Sequence, residues 1–517
     1  MKRLGLGATK VSIVATALLS FAPFAFAPLV LFAGGCSASS DESWESRGAA
    51  LGQGVRPAME DGHAPVSVLV YLKGAADLAP RAELASASKE ARITSVHARL
   101  VAHAKRAQGP LLGWLQRQGV SYRRFHIVNA VLVNDASPGL VRHLAARPDV
   151  ERLVLDRPVA LKRVQSPGSE SLSPEAIGSN ITATGAVRVW NELHVKGAGV
   201  VVAGQDTGVD WTHPALQSHY RGWDGATADH RYSWHDAIHS GSGNRCGYDL
   251  AAPCDDDQHG THTMGTIVGD DGAGNQIGMA PDAKWIACRN MDAGVGKPST
   301  YIECSQWFLA PYPQGGDPET QGDPSKAPDV INNSWGCPSS EGCEGAEIVP
   351  VLRSLKAAGI VFVASAGNDG PGCKSIRDQP ATDGPDALVV GAYNHGNGAI
   401  ASFSSRGPST LDGGLGPEVV APGVSIRSAV PGGRYSGSFS GTSMAGPHVV
   451  GEVALLLSAV PALRGQVDKI TSIVTGTAAP KTSTETCGGV SGSSVPNNTF
   501  GYGVIDAYKA VGSQLGR

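Results

Sequence analysis

Short apolar segments alternate with helical stretches along the second half of this 517-residue chain, and this alternation constrains the fold more than any other feature. The alternating segments are residues 284–288, 300–310, 330–333, 348–358, 360–364 and 387–392. Short buried strands separated by helices are typical of a parallel β-sheet. The sequence therefore predicts an α/β domain whose parallel sheet is covered by helices on both faces. Functional residues of such domains gather where the strands end.

A serine stands at the start of the most apolar predicted helix. Ser443 lies in the sequence Gly-Thr-Ser-Met-Ala-Gly-Pro-His (441–448), and an almost uninterrupted apolar run follows it. A proline in the first turn, here Pro447, does not prevent helix formation. A serine at the positive end of a buried helix lies near backbone N–H groups that stabilise negative charge. Taken alone, the same pattern also describes an ordinary helix-capping serine.

Two further segments supply the partners that a serine nucleophile needs. Residues 200–206 form a predicted buried strand that ends at Asp206, and His259 opens a second predicted buried helix, His-Gly-Thr-His-Thr-Met-Gly-Thr. A hydroxyl near neutral pH needs a base, and the base needs an orienting carboxylate. The chain order Asp, His, Ser is the subtilisin order. Together the three segments resemble the subtilisin-like serine protease family, the subtilases.

The resemblance implies a role for each of these side chains. Asp206 would hold the tautomer of His259, and His259 would act as general base and then as general acid. Ser443 would attack the scissile carbonyl carbon. Asn368, in the sequence Ala-Ser-Ala-Gly-Asn-Asp-Gly (364–370), would stabilise the oxyanion together with the Ser443 N–H. His262 lies on the next turn of its helix, so we expect it to be structural.

The resemblance also implies where a substrate binds. Residues 331–336 resemble the family segment that pairs with an extended peptide, and strand addition of this kind provides affinity through main-chain hydrogen bonds. Asn332 and Asn333 lie in this segment but are not the oxyanion donors of the family pattern. The substrate-binding residues implied by the resemblance are Ser334, Trp335, Gly336, Ala366 and Gly367. Core packing is the alternative for Trp335, and Gln379–Pro380 matches a family turn where a cis proline is expected.

Two carboxylates, Asp369 and Asp378, fall near the first substrate pocket by the same match. They suggest a preference for Lys or Arg before the cleaved bond, although Arg377 could neutralise Asp378. Asp270 and its neighbours (270–275) leave room for a structural calcium ion, but the family's further carboxylate is replaced by Ala215. The acidic turn at 255–257 is expected to be solvated. No cofactor is required for the predicted chemistry, and no metal ligand is assigned.

The N terminus is expected to be a targeting segment. Lys2 and Arg3 precede an apolar stretch (11–33) that ends in Leu-Phe-Ala-Gly-Gly-Cys at Cys36. This pattern resembles a lipoprotein signal over residues 1–36, with lipid-modified Cys36 as a membrane tether on the cell envelope. Cleavage after Ala27 and release as a soluble exported protein is an alternative, and an uncleaved membrane anchor is another. Residues 37–64 are polar and are expected to form a tether.

A second domain is predicted between the tether and the peptidase. Residues 65–161 contain three strand segments and two helical segments, and this order resembles the subtilase propeptide, a small α+β domain that assists folding and then inhibits. A generic accessory domain is the alternative. Residues 162–176 are rich in Ser and Pro and resemble a cleavable linker, with the mature enzyme beginning between 164 and 178. Residues 177–517 would be the peptidase domain, similar to the bacillopeptidase-F-like branch.

Cysteine usage fits an exported protein. Apart from Cys36, the chain has eight cysteines, which allow roughly 100 pairings. The short loops Cys246–Cys254 and Cys337–Cys343 are the favoured pairs. Zinc is disfavoured because no Cys-x-x-Cys sequence is present.

The remaining expectations concern partners. A net charge of −4 gives no reason to expect nucleic acid. We expect a monomer that acts on protein or peptide substrates and is inhibited by its own propeptide. The alternative is a pseudo-protease or binding protein on the cell surface. The presence of all four residues Asp206, His259, Asn368 and Ser443 favours the enzyme, because a binding protein does not need them.

Overall fold

The computed structural model describes residues 49–79, 87–165, 177–241, 244–339, 343–344 and 347–517. The predicted signal peptide (1–36), the first part of the predicted tether and most of the predicted linker lie outside the described residues. Among the described helices, none combines the length and the apolar character needed to cross a membrane.

The N-terminal domain consists of a five-stranded sheet and two helices. Its elements are β1 (Ala50–Leu51), β2 (Val66–Leu72), α1 (Lys89–Arg117), β3 (Tyr122–Phe125), β4 (Ala130–Ala136), α2 (Pro138–Ala145) and β5 (Val150–Leu155). The strand order is β1-β5-β2-β4-β3, and β2 runs antiparallel to both β4 and β5. This is the small α+β domain predicted from the sequence.

The N-terminal domain begins earlier than predicted. Strand β1 pairs in parallel with β5, with Ala50 opposite Arg152 and Leu51 opposite Leu153. Residues 57–59 form a 3₁₀ helix against α2, where Ala58 is buried. Residues 49–64, assigned to the tether from their polar composition, therefore belong to the folded domain. A two-residue strand has too little periodicity to be recognised in a sequence.

A short segment precedes the peptidase domain in the chain and lies in the cleft of that domain. The elements from there onward are β6 (Val159–Ala160), β7 (Val164–Gln165), α3 (Ser179–Ala183), α4 (Ala186–Glu192), β8 (Val201–Asp206), α5 (Pro214–Gln217), β9 (Trp234–Asp236), α6 (His259–Val268), β10 (Lys284–Arg289), β11 (Met291–Asp292), β12 (Val295–Gly296), α7 (Pro298–Leu309), β13 (Val330–Asn333), α8 (Val349–Ala358), β14 (Val361–Ser365), β15 (Leu388–Tyr393), β16 (Val419–Pro422), β17 (Ile426–Val430), β18 (Arg434–Ser440), α9 (Thr442–Ala459), α10 (Val467–Thr477), β19 (Thr486–Cys487), β20 (Val490–Ser491) and α11 (Ala507–Gln514).

Seven parallel strands form the central sheet of the peptidase domain, in the order β16-β15-β14-β13-β8-β10-β9. Successive residues of a strand point to opposite faces. In β14, Val361 and Val363 join the core formed with α6 and α9, whereas Phe362 and Ala364 join the core formed with α7 and α8. The predicted parallel sheet with helices on both faces is therefore confirmed.

The N-terminal domain packs on the helices α7 and α8. On one face of its sheet, Val68 and Val70 form a core with Leu111 of α1. On the other face, Leu69 and Tyr71 belong to the same buried cluster as the side chains of α7 and α8. This face of the small sheet thus packs against the peptidase domain.

Four disulfides connect the cysteines of the peptidase domain. Cys246–Cys254 and Cys337–Cys343 are the two pairs predicted from their short loops. The other pairs are Cys288–Cys304, which joins β10 to α7, and Cys373–Cys487, which closes a separation of 114 residues.

Candidate active site

Three elements bring Asp206, His259 and Ser443 to the carboxyl edge of the sheet. Asp206 ends β8, His259 is the first residue of α6, and Ser443 is the second residue of α9. The segment after β8 lies very close to the start of α6. A Cβ atom on Gly260 would lie only 2.1 Å from the Gly208 carbonyl oxygen. Glycine at position 260 thus allows the histidine helix to reach the aspartate.

The pair Asp206 and His259 has a defined geometry. His259 Nδ1 lies 2.8 Å from Asp206 Oδ1 and 2.9 Å from Oδ2, and both residues are buried. The Thr207 N–H donates to Asp206 Oδ1 at 2.7 Å. An ionised carboxylate only accepts hydrogen bonds, so the imidazole proton resides on Nδ1. His259 Nε2 is then left as the atom that accepts a proton, as a general base requires.

Ser443 lines one cavity together with His259 and Asn368. Its hydroxyl donates to the main-chain oxygen of Ser334 at 3.0 Å, and the Ser334 hydroxyl donates to the main-chain oxygen of Ser443 at 3.0 Å. A hydroxyl has one proton to donate. Ser443 must therefore release its bond to Ser334 before it can pass this proton to His259.

Asn368 is held so that its amide group points at a carbonyl. Its Oδ1 accepts from Thr442 N at 2.9 Å and from Thr442 Oγ1 at 3.0 Å. These two bonds fix which way the amide faces, and Nδ2 donates to the main-chain oxygen of Lys162 at 3.2 Å. A donor placed in this way can stabilise negative charge on that oxygen.

Residues 159–165 cross the cleft as an extended strand. On one side of Lys162, β6 pairs antiparallel with β12, and the Leu161 N–H donates to Gly294 O at 2.7 Å. On the other side, β7 pairs antiparallel with β18, placing Val164 opposite Ser440. The carbonyl of Lys162 thus lies between two paired strands, as the scissile carbonyl of a bound peptide would.

The substrate-binding residues predicted from the sequence lie beside this strand. Ser334, Trp335, Gly336, Ala366 and Gly367 line a single cavity that also contains Lys162 and Ser443. The indole of Trp335 is buried and stacks on Tyr301, with ring centroids 3.6 Å apart. Trp335 therefore both packs in the core and lines the cavity. The expected cis peptide at Gln379–Pro380 is present.

A buried carboxylate below the histidine was not predicted. Asp255 Oδ1 accepts from Thr207 Oγ1, Asp257 N and Gln258 N, each at 2.9 Å, and Oδ2 accepts from Thr261 N at 3.0 Å. Burial raises the pKa of Asp255, and these bonds counteract that rise. Asp255 thereby caps the first turn of α6 and holds His259 in place. The expectation of a solvated turn at 255–257 was wrong, because the side chains of Asp256 and Asp257 are also largely buried and form ion pairs.

Other polar residues in these segments have structural roles. His262 Nε2 lies 2.9 Å from Ile426 O, and burial lowers the pKa of His262 to about 3. Asn333 Oδ1 accepts from Gln205 Nε2 at 2.8 Å, and Asn332 Nδ2 donates to Ser334 Oγ at 2.9 Å. These bonds support β13 and its continuation rather than an oxyanion.

The loop considered for calcium is organised by hydrogen bonds. Asp271 Oδ1 accepts from Ala273 N and Asn275 N, and its Oδ2 accepts from the hydroxyl of Tyr435 at 3.0 Å. The guanidinium of Arg427 donates to Asn275 Oδ1 at 2.6 Å. A structural calcium ion in this loop stays a prediction. Within the described ranges, no group of three or more His, Cys, Asp or Glu side chains could hold a metal ion.

Comparison with known proteins decides the family. Residues 197–503 match Peptidase_S8, the subtilase family. The chain belongs to this family. The subtilase is similar to bacillopeptidase F of Bacillus subtilis (strain 168), with 37% identity over 402 residues, which are 75% of this chain and 26% of that protein.

Shorter relatives match the peptidase region of the subtilase. Subtilisin E of Bacillus subtilis (strain 168) is 35% identical over 267 residues, covering 51% of this chain and 57% of that protein. Alkaline protease of Alkalihalobacillus alcalophilus is 29% identical over 309 residues, covering 60% and 66% respectively. The chain thus spans about a quarter of bacillopeptidase F and just over half of subtilisin E. The predicted resemblance to subtilases, and to bacillopeptidase F among them, is confirmed.

Proposed function

We propose that this subtilase is a serine endopeptidase made as a zymogen that cleaves its own chain between Lys162 and Arg163. The observation that carries the proposal is the Lys162 carbonyl, which lies 3.2 Å from the Asn368 amide in the cleft that contains Ser443 and His259. An uncleaved peptide lying along the cleft with a carbonyl at an oxyanion donor is arranged for acyl transfer. The chain would be its own first substrate.

The chemistry follows from the geometry of the named atoms. Ser443 Oγ gives its proton to His259 Nε2 and attacks the carbonyl carbon of Lys162. Negative charge develops on the Lys162 oxygen, where Asn368 Nδ2 donates. The tetrahedral adduct then collapses, and His259 returns the proton to the departing amine of Arg163. Water releases Lys162 from the acyl-enzyme by the same steps in reverse.

This bond differs from the predicted cleavage range. The sequence placed the new N terminus between 164 and 178, from the Ser- and Pro-rich composition. Cleavage after Lys162 would instead begin the mature chain at Arg163, one residue before that range. The proposed bond follows from strand pairing in the cleft, whereas composition carries no information about register.

The N-terminal domain is suited to remain as an inhibitor after the cut. Lys89 pairs with Asp329 at 2.8 Å, and Arg152 pairs with buried Glu347 at 2.7 Å. Asp156 accepts from the N–H and hydroxyl of Ser299, at 2.9 and 2.7 Å, and so caps α7. These contacts do not depend on the Lys162–Arg163 bond. The domain should therefore stay docked until it is digested or displaced.

Export is part of the proposal. Four disulfides in the peptidase domain suit an oxidising compartment outside the cytoplasm. The sequence around Cys36 supports a lipid-anchored form on the cell envelope, with release as a soluble enzyme as the alternative. A monomer remains our prediction.

The decisive test compares the wild-type chain with its Ser443→Ala variant. Purified wild-type protein is expected to yield two species by intact mass, with Arg163 as the new N terminus, and to digest casein. The Ser443→Ala chain is expected to stay full length and to leave casein intact. If the wild-type chain also stays full length and casein survives, the proposal fails and a binding role is favoured.

Asn368→Asp tests the oxyanion donor. The variant keeps an oxygen for the two bonds from Thr442 but loses the donor to the scissile carbonyl and adds negative charge. We expect kcat to fall by about 10²- to 10³-fold with a smaller change in KM. Steady-state kinetics on a peptide substrate measure this, with exposed Asn397→Asp as the control. A loss below threefold would show that Asn368 does not contact the transition state.

A further inference from the structure

Two basic residues flank the bond that crosses the cleft, and each meets its own carboxylate. The ammonium of Lys162 pairs with Asp369, and the guanidinium of Arg163 pairs with Asp257. Both carboxylates are largely buried, with side-chain exposures of 17% and 7%. Partly buried carboxylates facing a groove are costly unless a cation reaches them.

The pocket before the bond contains a second carboxylate. Asp378 lines the same cavity as Lys162 and Asp369, and within the described part of the chain its Oδ1 is buried without a hydrogen-bond partner. Burial and the neighbouring Asp369 raise the pKa of Asp378 to about 6, while Arg377 and then Lys162 act in the opposite direction. Arg377 directly precedes Asp378 in the sequence, and its side chain is exposed. Two acids therefore share one pocket: Lys162 pairs with Asp369 and acts on Asp378 through its charge.

After the bond, the guanidinium of Arg163 lies beside Gly294 and Asp257. Gly294 has φ +83°, and a Cβ atom there would lie 2.9 Å from Arg163 Nη2 and 3.3 Å from Asp257 Oδ2. A side chain at this position would require the guanidinium of Arg163 to shift. The adjacent acid Asp256 is already matched by Arg289, at 3.1 Å and with both side chains fully buried. Asp257 is thus the acid of this turn that faces the cleft.

The dibasic sequence in the cleft also differs in conformation from the other dibasic sequences among the described residues. Lys105-Arg106 lies within the helix α1, and Arg123-Arg124 lies within the strand β3. Lys162-Arg163 lies between β6 and β7 and is extended across the candidate nucleophile. Accessibility would therefore direct cleavage to this pair.

We infer that the enzyme selects protein substrates with Lys or Arg on both sides of the cleaved bond, through Asp369 and Asp378 before the bond and Asp257 after it. This inference rests on the proposed endopeptidase function. It extends the expectation of a basic residue before the bond to a paired requirement. Single exposed ion pairs contribute little, whereas charge-assisted bonds to buried acids contribute more.

The test uses wild-type enzyme and internally quenched peptides based on Val-Ala-Leu-Lys-Arg-Val-Gln-Ser (159–166). Replacing Lys by Leu, or Arg by Ser, is expected to lower kcat/KM about tenfold each, and replacing both about 100-fold. Equal kcat/KM for the four peptides, with all of them cut, would overturn the inference but leave the proposed function standing. If none of the peptides and no casein is cut, the proposed function fails, and the inference with it.

Enzyme variants assign each position. Asp369→Asn is expected to lower the ratio of kcat/KM for the Lys peptide to kcat/KM for the Leu peptide about tenfold. Asp257→Asn is expected to lower the ratio of kcat/KM for the peptide with Arg after the bond to kcat/KM for the peptide with Ser there, also about tenfold. Asp412→Asn, an exposed carboxylate away from the cleft, is the control and should change neither ratio. Loss of activity on all peptides alike would contradict a specificity role, because it would indicate general damage to the site.

Discussion

Replacing Asp206 by Asn is expected to lower kcat/KM by about 10⁴-fold while the fold is retained. Asp206 accepts from His259 Nδ1, so the imidazole carries its proton there and leaves Nε2 able to accept one from Ser443. An Asn side chain can donate its own N–H to Nδ1. The proton of His259 then moves to Nε2, and the histidine can no longer act as a base.

Two measurements separate this effect from loss of structure. Self-cleavage after Lys162, followed by intact mass over time, should slow by a similar factor, because the same histidine serves both reactions. The melting temperature of Asp206→Asn should match that of the Ser443→Ala chain, since the carboxamide has nearly the size of the carboxylate. A loss of activity below tenfold, with the fold intact, would mean that Asp206 does not orient His259.

The sequence predicted the sheet and the candidate triad because both depend on local patterns. Buried strands and helices appear as apolar segments of characteristic length, and Asp206, His259 and Ser443 each lie at the boundary of such a segment. Parallel strands end at one edge of a sheet, so the three residues had to come together there.

The supporting residues could not be predicted in the same way, because their partners lie far away in the sequence. The acidic turn at 255–257 has the composition of a solvated loop. In the structure Asp255 binds Thr207, Asp256 binds Arg289 and Asp257 binds Arg163. The same reason explains the disulfides: a loop of 8 residues suggests its own closure, whereas the pair Cys373–Cys487 depends on tertiary structure.

Glu452 was also not identified from the sequence, and this residue is the basis of the second prediction with a large expected effect. It lies within the apolar run of α9, nine residues after Ser443, and is fully buried. Within the described residues neither carboxyl oxygen has a hydrogen-bond partner. Burial, with a smaller effect of Asp506, raises the pKa of Glu452 from 4.5 to about 8. The folded protein therefore holds this proton at neutral pH, whereas the unfolded chain releases it.

The consequence is a pH-dependent loss of stability. Below pH 4.5 the side chain is protonated in both states, and the folded state carries no ionisation cost. As pH rises towards 8, the unfolded chain gains about 1.4 kcal/mol per pH unit by releasing the proton. We expect Glu452→Met, whose side chain is unbranched and of similar length but has no acid, to remove this cost and to gain roughly 4 kcal/mol between pH 5 and pH 8 relative to the parent.

The measurement is the free energy of unfolding in urea at pH 5, 6.5 and 8, made in the Ser443→Ala background so that self-digestion does not interfere. Glu418, whose pKa burial also raises to about 8, contributes equally to parent and variant, so their difference isolates Glu452. Exposed Glu90→Gln should show no such pH dependence. If the difference between Glu452→Met and its parent is the same at all three pH values, Glu452 is ionised in the folded protein and must have a partner. A difference that grows with pH instead shows that the helix behind the nucleophile is packed around a neutral acid, at a cost in stability that rises with pH.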